Sequence, residues 1–328
     1  MTPAAPGPSR VTVEASGRLH FGLLDLRGHR GRRFGGIGAA VPTPSVLVEA
    51  TPDTRLTAEG PDAGRALETA RRYLDATGIA AGAHIRIARA IPAHVGLGSG
   101  TQLALAVARA LAELYGLPAD PVALARLVGR GRRSAIGTWT FALGGFVLEG
   151  GRRPDSPAMA PLISHLPMPR DWHVVIAIPE ERPGLSGNAE AAAFERLPAP
   201  EEREVERVAH LVLMQLLPAL ADGDLSSFGA ALTEVQRVTG GWFAAAQGGA
   251  FASEQVRDLV ARMADFGAAG VGQSSWGPTV YGLTPNQDAA TDLAQRVRAH
   301  LGCQGRIITT PFAERGALVN SEWRGARG

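Results

Sequence analysis

Several short segments of the chain alternate apolar and polar residues or are continuously apolar, and both patterns predict β-strands. Gly17–Leu26 is predicted as a second strand or as the continuation of the first, and Phe34–Val41 as a glycine-rich turn leading into an extended segment. The other predicted strands are Arg10–Ser16, Ser45–Ala50, Ala83–Ala90, Leu143–Gly151, Trp172–Ile178, two pieces around Gly270–Leu283, and Gly305–Thr309.

Apolar residues three or four positions apart predict helices between these strands. The predicted helices are Ala63–Ala76 closed by Gly78, one that follows a glycine loop and ends at Gly116, Pro121–Val128, Glu201–Leu220, Leu225–Val238, Phe251–Phe266 and Asp288–Leu301. Strands and helices mix without regular β–α–β alternation, which favours an α+β fold. Five prolines between Pro154 and Pro169 predict a linker, so we expect two domains, residues 1–168 and 169–328.

Composition excludes several classes of protein. With 328 residues, of which 45% are hydrophobic and 20% charged, the chain can bury a large core. A net charge of +2, from 33 basic and 31 acidic residues, argues against nucleic-acid or membrane binding by bulk charge. No apolar run reaches the roughly 18 residues of a membrane span, so we expect a cytoplasmic protein. The single cysteine, Cys303, excludes an internal disulfide and is predicted to be buried at a helix end.

The sequence contains no lysine, so every basic side chain is an arginine. GC-rich coding explains this bias, which the abundance of alanine, glycine and proline supports. It still has a chemical consequence, because neither a Schiff-base lysine nor a Walker-type phosphate lysine is present. Any phosphate must therefore be bound by backbone amides, hydroxyl groups and guanidinium groups.

A glycine-rich loop, PAHVGLGSGTQ at residues 92–102, runs directly into an Ala/Leu-rich helix. Glycine permits positive-φ turns and a close approach of the backbone to a ligand, and the first amides of a helix bind anions. An ordinary capped helix is the structural alternative. We predict a site for the phosphates of the substrate at Gly96, Gly98, Ser99, Gly100, Thr101 and Gln102.

Four motifs, in order along most of the chain, carry a resemblance to a known family. They are SGRLHFGLLDL at residues 16–26, GLGSGTQ at 96–102, GRGRRSAIGTWTFALGGFVLEGG at 129–151 and GQSSWGPTVYG at 272–282. The glycine loop resembles the central motif of the GHMP superfamily of small-molecule kinases. Together the motifs resemble its β-ribofuranosylaminobenzene 5′-phosphate synthase branch.

The resemblance implies a two-domain GHMP-kinase-like fold, with an N-terminal domain like ribosomal protein S5 domain 2 and a C-terminal ferredoxin-like α/β sandwich. It implies that phosphoribosyl pyrophosphate (PRPP) and 4-aminobenzoate, or 4-hydroxybenzoate, give a C-riboside 5′-phosphate, carbon dioxide and pyrophosphate, a step of tetrahydromethanopterin synthesis. We expect a homodimer that acts on small molecules, with Mg²⁺ carried by PRPP and no organic cofactor.

The first motif contains three of the predicted catalytic residues, Arg18, His20 and Asp25. Arg18 and His20 share one face of an alternating strand and could meet a phosphate-rich substrate. Asp25 falls on the opposite face of the strand, and it would share the face of Arg18 and His20 only after a turn or bulge. A salt bridge at the strand end with a packed histidine is the structural alternative.

The third motif supplies the fourth predicted catalytic residue, Arg130. The segment from Arg130 to Phe146 contains no Asp or Glu, so the general base that some kinases place there has no counterpart. Arg130, together with Arg132 and Arg133, instead offers positive charge for a departing pyrophosphate or for a benzoate carboxylate. A solvated turn explains Arg132 and Arg133 equally well.

The fourth motif is predicted to bind the aromatic substrate through Gln273, Ser274, Ser275 and Trp276. The Trp276 indole could stack on an aminobenzoate ring, and a position in the hydrophobic core is the structural alternative. The segment Glu180–Phe194 adds weaker candidates at the start of a helix, which are Ser186, Gly187 and Glu190. An ATP-dependent GHMP-type kinase and a non-catalytic phosphosugar-binding protein remain alternative functions.

Overall fold

The computed structural model describes residues 7–181, 184–185 and 187–323. Its strands are β1 (Arg10–Asp25), β2 (Phe34–Asp53), β3 (Thr57–Glu59), β4 (Gly82–Arg89), β5 (Phe146–Glu149), β6 (Leu162–Leu166), β7 (His173–Pro179), β8 (Val271–Gln273), β9 (Val280–Thr284), β10 (Gly305–Pro311) and β11 (Leu318–Glu322). Its helices are α1 (Ala63–Thr77), α2 (Ser99–Leu114), α3 (Pro121–Leu127), α4 (Ile136–Leu143), α5 (Gly187–Arg196), α6 (Glu202–Leu211), α7 (Leu217–Asp222), α8 (Leu225–Gln247), α9 (Glu254–Asp265) and α10 (Gln287–Leu301).

The first sheet is built on the long antiparallel pair of β1 and β2. Residues of β1 alternate between buried and partly exposed positions, as the period-two pattern predicts, and Gly17–Leu26 continues the first strand. Within the described residues the strand order is β11-β1-β2-β4-β3, and β5 pairs with the first half of β2 and with β6. The glycine-loop helix α2 packs on β1 and β2, and its Ala/Leu sequence is buried on most of its surface.

The second sheet has the order β10-β7-β9-β8 and is antiparallel throughout. Its strands follow a β–α–β–β–α–β order along the chain, with α9 before β8 and α10 after β9. This is the ferredoxin-like arrangement that the family resemblance implies. Apolar residues of α9 and α10 pack on this sheet and form a core cluster of their own. The α+β fold class is confirmed.

One prediction fails, and one strand has no predicted counterpart, because long-range pairing outweighs the local pattern. The proline-rich segment Pro154–Pro169, predicted as a linker, contains β6, which pairs with β5 in the first sheet. The last strand, β11, pairs with β1, so the chain returns to the first sheet after the second is complete. The domain boundary at residue 168 therefore stays a prediction. By sequence β11 falls in the predicted second domain, but it pairs with a strand of the first.

Local differences have simple physical reasons. Helix α4 has no polar face, because its environment is apolar on almost all sides, and so it gave no helical periodicity to recognise. Helix α8 extends nine residues beyond the predicted end, to Gln247, and is closed by Gly248 with φ 81°. Cys303 is exposed, in contrast to the prediction, because it lies in the turn after α10. No helix in the described residues combines the length and the apolar character needed to cross a bilayer.

Candidate active site

The two sheets are joined where α8 crosses β1. Gly22 has φ 151°, and a Cβ atom there would lie 3.1 Å from Val235 Cγ1 and 3.3 Å from Thr239 Oγ1, so only glycine permits this approach. The buried Gln236 bridges the elements, because its Nε2 donates to the Phe21 carbonyl and its Oε1 accepts from the Gln273 amide at 2.9 Å. These contacts hold β1 and β8 together and form one end of a cavity.

The cavity has a volume of about 280 Å³ and is lined by residues from both halves of the chain. Its polar lining includes Arg18, His20, Thr101, Arg130, Arg132, Arg133, Ser134, Glu190, Gln236, Thr239, Gln247, Gln273 and Ser275. Its apolar lining includes Leu23, Phe34, Phe194, Phe243, Ala250 and Trp276. The structure therefore brings together residues from all four sequence motifs.

The glycine loop mostly lies outside the cavity lining and contacts residues near the cavity through its backbone. Gly96 and Gly98 have φ 90° and 77°, as predicted for this loop. The Gly96 carbonyl accepts hydrogen bonds from Arg18 Nη1 and, at 2.7 Å, from Ser274 Oγ. Among the predicted phosphate-binding residues Thr101 lines the cavity, whereas Gly96, Gly98, Ser99 and Gly100 do not. Their contact with a phosphate stays a prediction.

Gln102 has a different position from the one that the sequence suggested. It is fully buried, and its Nε2 donates to the Gly137 carbonyl at 2.9 Å. A helix residue one position after Thr101 points about 100° away from it, so Gln102 faces α4 rather than the cavity. The observed contact ties α2 to α4.

Arg65 and Arg130 lie beside the first turn of α2, and Arg72 adds a positive charge close to Arg130; we call these three residues the arginine cluster. A Cβ atom at Gly100 would lie 2.7 Å from Arg65 Nη2 and 3.5 Å from Arg130 Nη1. A Cβ atom at Gly129 would lie 2.5 Å from Arg72 Nη1. The cluster and the amides of a helix N-terminus together form a strongly anion-attracting region.

The charge of the arginine cluster is poorly compensated. Burial lowers the pKa of Arg130, and the positive charges of Arg65 and Arg72 lower it further, with only Glu68 acting in the opposite direction. Arg130 Nε is buried and has no hydrogen-bond partner in the described part of the chain. Arg65 has a carboxylate partner, Asp62, at 3.2 Å. A bound anion would supply the missing partner.

Arg18 and His20 lie next to the glycine loop and line the cavity, as expected for residues on one strand face. Burial lowers the pKa of Arg18 to about 10, against the attraction of Glu190, so its guanidinium group stays charged at neutral pH. Burial and the Arg18 charge lower the pKa of His20 to about 3. His20 is therefore a neutral imidazole at physiological pH.

Asp25 is not part of this arrangement. Its Oδ1 accepts a hydrogen bond from the Gly28 amide at 2.8 Å, in the turn that follows β1. The irregularity between His20 and Gly22 shifts the strand, but Asp25 still does not line the cavity. The structure therefore places the carboxylate in a turn rather than beside Arg18.

Four aromatic side chains form one wall of the cavity, and we call Phe34, Phe194, Phe243 and Trp276 the aromatic wall. Their rings meet edge to face, at centroid distances of 5.5 Å for Phe34–Phe194, 5.3 Å for Phe194–Trp276 and 4.8 Å for Phe243–Trp276. This geometry is the favourable one for aromatic pairs. The wall therefore offers a preformed apolar surface of the kind that accommodates an aromatic ligand.

Glu190 links the aromatic wall to the arginines of the third motif. Its Oε1 accepts from Trp276 Nε1 at 3.1 Å, and its Oε2 pairs with Arg133 Nη2 at 2.8 Å. The Arg133 guanidinium also lies over the Phe194 ring, 5.4 Å from its centroid. Gly187 begins α5, which carries Glu190, whereas Ser186 lies outside the described residues.

Some residues of the fourth motif line the cavity, and others stabilise the loop that carries them. Gln273, Ser275 and Trp276 line the cavity, and Ser275 has φ 57°. Gln273 uses its amide within the fold, because its Oε1 accepts from the Ala252 amide at 2.7 Å and its Nε2 donates to the Ser275 carbonyl at 2.9 Å. Ser274 is fully buried, and its Oγ joins the His20 amide to the Gly96 carbonyl.

Sequence reasoning missed one buried acid beside the cavity. Glu149 is fully buried at the end of β5 and accepts hydrogen bonds from the amides of Ala135 at 3.3 Å and Gly151 at 2.9 Å. Burial raises its pKa to about 7, although both amides and Ser134 act in the opposite direction. The signal was a single acidic residue after an apolar strand, which is also typical of an ordinary strand end.

Comparison with known proteins gives consistent family matches. Residues 64–145 match the GHMP kinases N terminal domain and residues 216–303 the GHMP kinases C terminal family.

In the part of the chain that the structure describes, no group of three or more His, Cys, Asp or Glu side chains could hold a metal ion.

Two solved kinase structures illustrate the likeness in fold. Homoserine kinase from Cytophaga hutchinsonii superimposes with a TM-score of 0.69 at 20% identity, over 95% of this chain and 98% of that one. L. major mevalonate kinase in complex with R-mevalonate has a TM-score of 0.70 at 16% identity, over 94% of this chain and 99% of that one. At these identities the likeness establishes the fold alone.

Curated relatives are more similar in sequence. The beta-ribofuranosylphenol 5′-phosphate synthase of Methanothermobacter thermautotrophicus is 35% identical, over 94% of this chain and 98% of the relative. The enzyme of the same name from Archaeoglobus fulgidus is 36% identical, over 94% of this chain and 99% of the relative. The chain belongs to the beta-ribofuranosylphenol 5′-phosphate synthase family, a family of enzymes with the GHMP kinase fold.

Proposed function

We propose that the protein condenses PRPP with a para-substituted benzoate, either 4-hydroxybenzoate or 4-aminobenzoate, with loss of pyrophosphate and carbon dioxide. The product is a C-riboside 5′-phosphate of the kind used in tetrahydromethanopterin synthesis. One observation carries the proposal: a single cavity is lined by both Arg130 of the arginine cluster and the aromatic wall. The name of the relatives, which contains phenol, favours the hydroxy acid.

The arginine cluster suits the departure of pyrophosphate. As the bond between the anomeric carbon and pyrophosphate breaks, negative charge accumulates on the leaving group, and fixed cations nearby stabilise that charge. Arg130 has a buried Nε that no described residue hydrogen-bonds, and Thr101 supplies a hydroxyl at the start of α2. We propose that these groups bind the pyrophosphate, with the α2 amides behind them.

The aromatic wall suits the second substrate. An oxocarbenium-like ribosyl carbon is attacked by water as readily as by an electron-rich ring, so the site must exclude water and align the ring. We propose that the benzoate ring lies against Phe194 and Trp276. Arg18 lies between the two ends, because it contacts Gly98 and is attracted by Glu190. Its charge can neutralise the benzoate carboxylate until carbon dioxide leaves.

A kinase reaction has less support from the same cavity. A kinase of the type that uses a catalytic carboxylate needs that group free to accept the proton of a substrate hydroxyl. Among the described residues, Glu190 is the carboxylate that lines the cavity, and Trp276 and Arg133 engage both of its oxygens, so it is not free to take that proton directly. We keep the kinase and the non-catalytic binding protein as outcomes of the test.

We further propose that Mg²⁺ enters bound to the phosphate oxygens of PRPP, as is usual for pyrophosphate substrates, and that no organic cofactor takes part. Activity in excess EDTA should then be lost and should return with added Mg²⁺. We also propose that the protein is a homodimer and is located in the cytoplasm, and sedimentation equilibrium tests the first of these two proposals.

The direct test uses carboxyl-labelled 4-hydroxybenzoate and 4-aminobenzoate. Labelled carbon dioxide should appear only when PRPP is present, and Arg130→Gln should reduce its rate while Arg71→Gln, an exposed neighbour of the arginine cluster on α1, should not. Consumption of ATP with a small alcohol, and no carbon dioxide from either acid, would identify a kinase instead. Binding of PRPP without turnover would indicate a binding protein.

A further inference from the structure

A chain of polar side chains leads from the cavity into the first sheet. His20 lines the cavity, and its Nε2 lies 3.3 Å from the Ser134 hydroxyl. Glu149, whose carboxyl has no surface exposed to solvent, accepts a hydrogen bond from the adjacent Ala135 amide at 3.3 Å, and the Ser134 side chain lowers its pKa. The three side chains therefore connect a ring in the cavity to a carboxyl that bulk water does not reach.

Glu149 lacks a counter-charge. The groups that act on its pKa are the amides of Ala135 and Gly151 and the Ser134 side chain, and no arginine is among them within the described residues. Burial outweighs these hydrogen bonds and raises the pKa to about 7. A carboxyl with this pKa exchanges a proton readily at physiological pH, as a general base or acid requires.

His20 cannot itself retain a proton. Burial and the adjacent Arg18 charge lower its pKa to about 3, so an imidazolium ion is strongly disfavoured. With Nε2 occupied by Ser134, Nδ1 makes no hydrogen bond to any described residue. The ring can therefore accept a proton at Nδ1 only if it gives the Nε2 proton to Ser134 at the same time.

We propose that His20, Ser134 and Glu149 form a proton relay that removes the hydroxyl proton of a 4-hydroxybenzoate substrate and returns it after decarboxylation. The relay rests on the proposed function and makes its substrate class more specific, namely a benzoate with an ionisable para-hydroxyl group. His20 is the catalytic residue that contacts the substrate, and Ser134 and Glu149 act through it.

The steps balance without an external base. The substrate O–H bond breaks, its proton passes to His20 Nδ1, the Nε2 proton passes to Ser134 Oγ, and the Ser134 proton passes to the Glu149 carboxylate. The electron pair left on the phenolate oxygen moves through the ring to the carbon that bears the carboxylate. That carbon bonds to the anomeric carbon while the C–O bond to pyrophosphate breaks, and pyrophosphate leaves with the electron pair.

The intermediate is then a ring ketone that carries both the ribose and the carboxylate on one carbon. When carbon dioxide leaves, the electron pair of its C–C bond restores the aromatic ring and regenerates the phenolate. The phenolate recovers the proton from Glu149 through Ser134 and His20, so the relay ends as it began.

The test compares wild type and Glu149→Gln on two phenols of different acidity, 4-hydroxybenzoate and 3,5-difluoro-4-hydroxybenzoate. Loss of a general base costs about 100-fold, so kcat of the variant should fall by about this factor with 4-hydroxybenzoate. The more acidic phenol ionises without assistance. The deficit of the variant relative to wild type should therefore shrink to about tenfold or less with the fluorinated acid.

Ser134 provides an independent pair of variants that leaves the Glu149 carboxyl in place. Ser134→Ala interrupts the relay and should show the same dependence on phenol acidity, whereas Ser134→Thr keeps the hydroxyl and should recover most of the rate. An equal deficit with both phenols in Glu149→Gln and Ser134→Ala would overturn the relay and leave the proposed function intact. Failure of the wild type to release carbon dioxide from either phenol would overturn both.

Discussion

The charged side chains at the two ends of the cavity differ in whether the protein supplies their hydrogen-bond partners. At the aromatic wall, Glu190 uses one carboxylate oxygen for Trp276 and the other for Arg133, so the wall is complete without a ligand. At the arginine cluster, Arg130 leaves a buried Nε without a partner in the described residues, and its neighbours add positive charge. One end is preformed for an apolar ring, and the other needs an anion to complete it.

This difference separates the tasks of the site. Binding an aromatic acid to a rigid wall costs little reorganisation. The unpaired Nε of Arg130 raises the free energy of the unliganded protein, and a bound anion stabilises Arg130 most when that anion gains charge, as pyrophosphate does on leaving. We therefore expect substitutions at the two ends to affect different kinetic constants.

The largest effect is expected at the arginine cluster. Arg130→Gln removes a fixed charge from the leaving group and should lower kcat/KM for PRPP by about 100- to 1,000-fold. The KM for the aromatic acid should change by less than about threefold, since the aromatic wall is intact. Steady-state kinetics with each substrate varied in turn measures both constants. Equal changes in the two KM values would contradict the separation of the two ends.

The next effect concerns Glu149, which is fully buried and, within the described residues, has hydrogen bonds in place of a counter-charge. Its pKa of about 7 exceeds the ordinary 4.5, so between these pH values the folded protein retains a proton that the unfolded chain has lost. Its contribution to stability therefore decreases as pH rises from 4.5 to 7, by about 3 kcal/mol at 1.36 kcal/mol per pKa unit.

Glu149→Gln removes this titration. The free energy of unfolding of wild type minus that of the variant should fall by about 3 kcal/mol between pH 4.5 and 7, as measured by urea denaturation at several pH values. Taking the difference cancels His20, whose lowered pKa has the opposite effect, since stability from His20 is lost as pH falls from 6.5 to about 3. A difference independent of pH would show that Glu149 is ionised at its ordinary pKa.

A smaller effect is expected at the aromatic wall. Trp276→Ala should raise KM for the aromatic acid by about tenfold, because a ring contact contributes about 0.5–1.5 kcal/mol beyond area burial. Trp276→Phe is the matched control, since it keeps a ring but removes the hydrogen bond to Glu190. The KM for PRPP should be unchanged in both. An unchanged affinity of Trp276→Ala for the aromatic acid would remove this wall from substrate binding.

The smallest effect is expected outside both ends. Asp25→Ala removes the hydrogen bond to the Gly28 amide and should destabilise the protein by about 1 kcal/mol, as seen in thermal unfolding. Because Asp25 does not line the cavity, kcat should stay within about twofold of wild type. A loss of activity without a loss of stability would return Asp25 to the catalytic residues.

Local sequence sufficed for features that depend on short-range chemistry. The glycines of residues 96–100 and the Ala/Leu run after them predicted both the loop and α2, because positive φ angles and helix propensity are local properties. Arg18 and His20 were placed on one face by strand parity alone, and both line the cavity. Trp276 was correctly singled out as a residue of the same region.

Long-range contacts account for what the sequence could not predict. Arg65 and Arg72 lie on α1, a helix with an ordinary surface pattern, and only the packing of α1 beside α2 brings them to Gly100 and Gly129. Phe194 and Phe243 resemble core residues on separate helices. Glu149 follows an apolar strand and becomes a functional candidate only when Ser134 and His20 are seen beside it.

The most direct test of the central claim is the bond that the enzyme makes. PRPP labelled with ¹³C at the anomeric carbon and 4-hydroxybenzoate labelled with ¹³C at the ring carbon that bears the carboxylate are incubated with the protein and Mg²⁺, and the product is examined by NMR. We predict a one-bond coupling between the two labelled carbons, together with loss of the carboxyl group. A product that retains the carboxyl group and shows no such coupling would contradict the account.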